Sequence, residues 1–448
     1  MIFNRFPLLH LKKFHLSFWK KNPALYFSIY ALTGTCAAYF SFLPLIIPLF
    51  SLKFASTKFW TSGVIIFCAF YLSANFSINS PSIPPEGIYG SGIISVKQIF
   101  NQDSFSTQFK GDLVNFSEDL PPTPISFYTR KKGFENHSHL FIEGKLLNNH
   151  YFSPTKIKGI HKSTFSLPWI RYQTKDWLYR HFFKNTAHPK IFAALLLGYP
   201  LPKRIQHQLN RFGLQHLFAI SGFHFGLIAT LLAFCFRPLI SYKYLPQILL
   251  FFLLLYALLI GPSASVLRAF ITLCIVFIAK ILGKESAPLN TIGIALICVI
   301  LFDPLYVQSI GFIFSFAITF SILLFYPLLK DILYSPFALL LSVELTAIPL
   351  TLYLFQSFPL LSLIYNLIHP FLISTALFLF PFPYLSIISD KLIDIALFTF
   401  SLPQKCDLYL QVPPISPLII STYLTAIYSM GIFYRTQKEN TPLLLQLI

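Results

Sequence analysis

Two histidines, a serine and a glycine interrupt one of the most apolar runs of this chain. They are His216, Ser221, Gly222 and His224, in FGLQHLFAISGFHFGLIA, residues 212–229. A serine beside a histidine can begin a hydrolase. Here, however, Ala-Ile-Ser-Gly-Phe lacks the first glycine of the G-x-S-x-G elbow, and no Asp or Glu lies nearby in sequence. Two histidines eight residues apart share a helical face if the helix continues, but without a carboxylate or thiolate they make a weak metal site. The bland alternative is a pair of histidines bonded to backbone carbonyls inside a helix bundle. Ionisable groups in a membrane usually face an interior or a water-filled path. The set therefore reads best as a polar, broken segment lining such a path, with Gly222 as the break. No catalytic residue, metal ligand or cofactor is expected, and the chain is not read as an enzyme.

Two further polar interruptions follow. In GPSASVLRAF, Gly261 and Pro262 end one helix and Arg268 enters the next apolar run. An arginine there must snorkel, pair or see water. Glu344, the only acid within its own apolar run (LSVELTAIPL), is the expected partner. Asn366 and His369, just before Pro370 in IYNLIHPF, make the third break. One cation and few anions along these breaks suggest a path for an anionic substrate.

The elements that must position these residues are membrane spans. Of 448 residues, 55% are hydrophobic and only 11% charged, with apolar runs of spanning length along most of the chain. The fold class is a polytopic α-helical membrane protein of about 12 spans. Arg5, Lys12, Lys13, Lys20 and Lys21 precede the first span without an acid among them and read as cytoplasmic. Residues 1–75 form about three N-terminal spans. Residues 191–434 form the main membrane domain, which opens on a short re-entrant or interfacial stretch (IFAALLLGYPLP) and a basic amphipathic one (KRIQHQLNRF). Residues 435–448 are a cytoplasmic tail. The net charge of +18 owes much to Lys and Arg in cytoplasmic loops. The six cysteines lie in or beside apolar segments and form no C-x-x-C pair, so they read as buried thiols.

Residues 76–190 differ. A turn-rich INSPSIPPEG leads into β-type runs GIYGSGIISVKQIF, STQFKGDLVNF, PISFYTR and HLFIEGKLL. A small extracytoplasmic all-β domain of about five strands is expected, with an OB-like barrel as the candidate topology. It carries 14 Lys or Arg against 8 Asp or Glu, densest at Arg130, Lys131 and Lys132, the candidate binding residues of this domain. A solvated charged loop is the plain alternative for that triplet.

These segments resemble the ComEC family of competence proteins. The family stretch G-L-x-H-L-L-A-I-S-G-L-H-V-G is met by Gly213, Leu214, His216, Leu217, Ala219, Ile220, Ser221, Gly222, His224 and Gly226, with Phe218, Phe223 and Phe225 replacing aliphatics. ALLLGYPLP, GPSASVLRA, DPLYVQSIGFIFSFA and TAIPLTLYLFQSFPLLSLIYNLIHP resemble further family blocks in the same order. The resemblance implies an inner-membrane channel that passes single-stranded DNA during natural transformation, with the β-domain as its outer DNA-holding module. No H-x-H-x-D-H cluster is present, so the resemblance is to the form lacking a metallo-β-lactamase-like domain, and a separate nuclease is expected. No ATPase motif is found either, so a separate cytoplasmic motor or DNA-binding protein is implied. Membrane lipids and a second copy of the chain complete the expected partners. The rival reading is a secondary transporter for a small anionic substrate.

Overall fold

The computed structural model describes residues 18–40, 57–78, 88–103, 106–116, 123–129, 138–147, 151–162, 167–199, 201–218, 220–382, 384–399 and 408–445. The chain divides into two compact units, residues 76–182 and the remainder.

The smaller unit is built on five antiparallel strands: β1 (Ile88–Asp103), β2 (Ser106–Phe116), β3 (Thr123–Thr129), β4 (Ser138–Leu146) and β5 (Phe152–Lys162). Their order is β3-β2-β1-β4-β5, and β3 also approaches β5, so the sheet curls toward closure. Alternation sets the core: Ile94, Ile125, Phe127, Leu140, Ile142, Leu146 and Phe152 are buried. The strand without an obvious sequence signal is β5. Its Pro154 and three lysines obscure the apolar alternation, yet it pairs with β4 along its length. Arg130, Lys131 and Lys132 lie outside the described residues. Helix α3, Leu167–Leu178, passes into a π-helical turn, Tyr179–Phe183.

The larger unit is a helical membrane bundle. Its N-terminal helices are α1 (Pro23–Phe40) and α2 (Thr57–Ile78). Then come α4 (Pro189–Leu197), α5 (Lys203–Arg211), α6 (Gln215–Phe218), α7 (Gly222–Phe236), α8 (Leu245–Ile260), α9 (Ala264–Ile281) and α10 (Pro288–Phe302). The rest are α11 (Ile310–Leu329), α12 (Ser335–Phe355), α13 (Ser362–Leu379), α14 (Ser386–Thr399) and α15 (Pro417–Leu445). Six segments among the described residues are helical, long and apolar enough to cross a membrane: His216–Phe236, Ala264–Ile281, Ile310–Leu329, Ser335–Phe355, Ser362–Leu379 and Pro417–Lys438. Three more apolar helices are shorter, within Trp60–Asn75, Leu245–Ile260 and Pro288–Phe302.

The bundle has two chemically different ends. At one, Lys280 sits over the Tyr242 ring, and Asn290 clasps the Lys21 carbonyl and the Ala24 N–H. Arg237, Lys243, Lys284 and Lys330 occupy connections at this same basic end. At the other, β6 (Ser357–Pro359) pairs with β7 (Tyr409–Gln411) in a two-stranded ribbon. The connections 261–263, 303–309 and 356–361 at the ribbon end hold no Lys or Arg, and the connection 400–416 holds one, Lys405, which lies outside the described residues.

Of the two readings of residues 191–202, re-entrant or interfacial, the packing fits the first. Helix α4 buries Ile191, Phe192, Ala193, Ala194, Leu195 and Leu197. Phe192 stacks on Phe380 just past the end of α13, whereas Phe212 meets Tyr365 near its start. Fifteen helical residues rise about 22 Å. The α4–α5 pair therefore runs antiparallel to α13 through much of the bundle's depth.

The mid-helix prolines interrupt the hydrogen-bond ladder without ending their helices. Helices α11, α12 and α13 continue through Pro327, Pro349 and Pro370. Proline removes an N–H and so frees the carbonyl four residues earlier. Pro327 frees Leu323, whose carbonyl accepts from Nη1 of Arg435 on α15. Pro349 frees Leu345, whose carbonyl accepts from the Tyr423 hydroxyl of α15 at 3.1 Å. Lys438 of α15 donates to the Pro327 carbonyl at 2.8 Å and to Asp331. Between these ties, Thr346 donates to Ser321 at 2.9 Å and lies 3.0 Å from the Tyr428 hydroxyl. Helix α15 thus supplies donors to two helices that could not complete their own ladders.

Candidate functional site

The segment around His216 is broken, one turn earlier than a break at Gly222 alone would give. Helix α6 ends at Phe218 and α7 begins at Gly222. His216 and His224 therefore do not share a continuous helical face. His216 is exposed, and its Nδ1 donates to the Gly213 carbonyl at 3.1 Å. Ser221 is extended, with φ −139° and ψ −177°, and caps α7. His224, three residues on, is 1% exposed. Its Nδ1 accepts from the Ser221 N–H at 3.4 Å, which places the ring proton on Nε2. That Nε2 is buried without a partner among the described residues. Ser221 Oγ lies 3.5 Å from the same Nδ1. A histidine whose acceptor nitrogen is occupied by a backbone N–H, and whose other nitrogen meets no carboxylate, is poorly placed as a general base.

The second stretch folds against the first. Gly261 adopts φ +101°, a backbone region that side chains rarely reach, and ends α8. Ser263 caps α9 by accepting from the Val266 N–H at 3.4 Å. Ser265 then donates to the Ile220 carbonyl at 3.0 Å, tying the start of α9 to the residue before the α7 cap. The small, buried Ala269 packs with Ile220, Phe225 and Ala229 and lets the two helices approach.

Arg268 lies one turn into α9 and is 8% exposed. Its Nε donates to Ser315 Oγ and its Nη1 to Thr319 Oγ1, both at 2.7 Å. Thr319 in turn donates to the Ser315 carbonyl at 2.7 Å, leaving its oxygen free to accept from the arginine. The third guanidinium nitrogen, Nη2, lies against Gly222, where a Cβ would stand 2.8 Å from it. The expected pairing with Glu344 does not form. Glu344, 6% exposed, takes a 3.3 Å hydrogen bond from Asn366 Nδ2 instead. Its Oε2 and the Asn366 Oδ1 are buried without partners among the described residues. The reason is geometric: a hydroxyl pair one turn apart on α11 meets the guanidinium first. Ser315 and Thr319 are thus the site residues that sequence reasoning missed. Their i, i+4 spacing in GFIFSFAITF was the available signal.

His369 is fully buried on α13, its Nδ1 donating to the Tyr365 carbonyl at 3.1 Å and its Nε2 lying 2.9 Å from Thr399 Oγ1 of α14. It joins α13 to α14. No group of three or more His, Cys, Asp or Glu suited to a metal occurs among the described residues. The structure therefore brings Ser221, Gly222, His224, Gly261 and Arg268 into one region at the starts of α7 and α9. It places Glu344 and Asn366 in a second pair, and leaves His216 and His369 apart.

The Competence protein family matches residues 195–436, more than half of the chain and every residue of the site. ComE operon protein 3 of Bacillus subtilis (strain 168) is 31% identical over 163 residues, 36% of this chain and 21% of that protein. An uncharacterized protein of Mycoplasma genitalium (strain ATCC 33530 / DSM 19775 / NCTC 10195 / G37) is 30% identical over 239 residues, 51% of this chain and 59% of that one. The chain thus spans about a fifth and about three fifths of these relatives. No solved structure matches. With the family pattern running from α4 into α15 and enclosing the Ser221–Arg268 region, the chain belongs to the ComEC family of competence proteins.

Proposed function

We propose that this protein carries single-stranded DNA across the cytoplasmic (inner) membrane during natural transformation. The observation that carries the reading is Arg268, a buried guanidinium whose acceptors are hydroxyls, within the region matched by the competence family. A cation held in a bundle without a carboxylate suits a polyanionic substrate. About 12 spans with a cytoplasmic N-terminus fit the lysines gathered at the basic end. The smaller unit is assigned as an OB-like module on the outer side. In support, β1 is central, β1-β2-β3 form a meander, and β4 and β5 bring the sheet edge back to β3. Exposed Tyr89 on β1 offers a ring on which a base can stack.

The chain is proposed to be a channel, with the motor and the nuclease for the other strand supplied by separate proteins. Purified protein with zinc or manganese is then expected to leave duplex DNA intact. Metal-dependent cleavage that survives repurification would reverse that assignment. The reading as a whole is tested by uptake of labelled DNA in cells with the gene deleted and restored. Undiminished uptake on deletion would refute it. Orientation is tested separately: a cysteine at exposed Thr155 on β5 is expected to react with an impermeant outside reagent, and one at Lys284 is not. The opposite pattern would invert the topology.

A further inference from the structure

We infer that Arg268 and the N-terminus of α7 form a binding station for a single phosphate group. Three observations on the molecule lead there. Arg268 stays protonated in any protein environment, is 8% exposed, and meets only the neutral hydroxyls of Ser315 and Thr319. No carboxylate pairs with it among the described residues, and Glu344, the acid expected from the sequence, takes its hydrogen bond from Asn366. The guanidinium also faces the wrong end of a helix. Its Nη2 lies against Gly222, the first residue of the 15-residue α7. The first N–H groups of a helix lack partners inside it and carry the positive end of its dipole.

A cation and a helix N-terminus pressed together repel each other unless an anion sits between them. The donors for such an anion are in place. Nη2 makes no hydrogen bond among the described residues, and with no side chain at Gly222 it lies directly against the first turn of α7, which Ser221 caps from the other side. Within that first turn, the buried His224 Nε2 is a further donor without a partner among the described residues. A tetrahedral phosphate can accept from a guanidinium edge and from helix N–H groups at once. The station rests on the reading that a phosphodiester strand is the substrate. It adds where one phosphate would pause on its way and which atoms would hold it.

The test uses the full chain in phospholipid-free detergent, with thermal stability as the readout. Inorganic phosphate is titrated at constant ionic strength against chloride. Phosphate is expected to stabilise the wild type where chloride does not. The half-maximal concentration should rise at least tenfold in Arg268→Gln and less in Arg268→Lys. Gly222→Ala, whose methyl would enter the space of Nη2, should match Arg268→Gln. An unchanged phosphate response in both Arg268→Gln and Gly222→Ala overturns the station. So does stabilisation of the wild type by phosphatidylglycerol but not by free phosphate, which would assign the donors to a lipid headgroup. If the phosphate response is lost in Arg268→Gln while that variant still imports DNA at the wild-type rate, the station stands and its use in DNA passage fails.

Discussion

A Cβ at position 222 would stand 2.8 Å from Nη2 of Arg268, with Cζ at 3.7 Å, so Gly222 and Arg268 occupy complementary halves of one space. The glycine is needed for the room it leaves, and the arginine fills that room from the neighbouring helix. Substituting either should disturb the other, while the flanking Ser221 contributes much less.

Gly222→Ala is therefore expected to lower DNA uptake sharply, and Gly222→Leu to abolish it. Ser221→Ala should retain most uptake. Its hydroxyl caps the first turn of α7 and makes a long contact to the His224 ring, 3.5 Å, and losing a serine cap costs about 1 kcal/mol. Uptake normalised to protein in the membrane is the measurement. A dead Ser221→Ala beside a functional Gly222→Leu would mean that the segment does covalent chemistry.

At Arg268 the expected order of uptake is wild type, then Lys, then Gln, then Glu. Lysine keeps the charge but cannot reach Ser315 and Thr319 with separate nitrogens of one rigid fork. Glutamate adds a negative charge facing phosphate. Equal activity of Arg268→Lys and Arg268→Glu would show that the charge is irrelevant.

The β-domain offers an independent measurement. Residues 76–182, studied within the full chain and as an excised fragment, should bind single-stranded DNA with little sequence preference. Affinity should fall steeply with salt, because each phosphate contact releases counterions. Binding that ignores salt, or none at millimolar protein, would remove this unit from the path of the strand.

The α15 ties give a stability prediction with a pH dependence. Tyr423→Phe and Arg435→Met each leave a proline-freed carbonyl without its donor and should each destabilise the protein by about 1–3 kcal/mol. Thermal unfolding in detergent reads this, and wild-type stability in both would dismiss α15 as a brace. Lys438 holds the Asp331 carboxyl below the ordinary carboxylate range through its hydrogen bond. With the folded pKa depressed, the contribution is present above the unfolded carboxylate pKa and is lost as pH falls through the folded value. The difference between wild type and Asp331→Asn should therefore be steady from neutral pH to about 5 and shrink below about 4.

Much of the architecture was legible in the residues, for identifiable reasons. Four strands announced themselves by β-branched and aromatic runs between turns, whereas β5 hid behind Pro154 and its lysines. The break before α7 was legible because serine and glycine punctuate an otherwise continuous apolar run. The partners of Arg268 were not. Charge suggested Glu344, but Ser315 and Thr319 lie 47 and 51 residues away, and only packing reveals that their hydroxyls reach the guanidinium first. A proline such as Pro349 announces a gap in the hydrogen-bond ladder but not what fills it. The donor that lets α12 pass Pro349 sits on α15, 78 residues beyond the freed Leu345 carbonyl.

That separation has a consequence for how the protein is made. The carbonyls of Leu323 and Leu345 leave the ribosome 112 and 78 residues ahead of Arg435 and Tyr423. At ordinary synthesis rates this is a delay on the order of ten seconds. During it, α11 and α12 each carry a bare acceptor that hydrocarbon penalises by several kcal/mol. The pair cannot settle into lipid on its own and must wait in the insertion machinery, or against water, until α15 arrives. Membrane insertion of these helices is accordingly a late and collective event, and a nascent chain stalled before residue 417 should remain extractable and open to quality-control proteases.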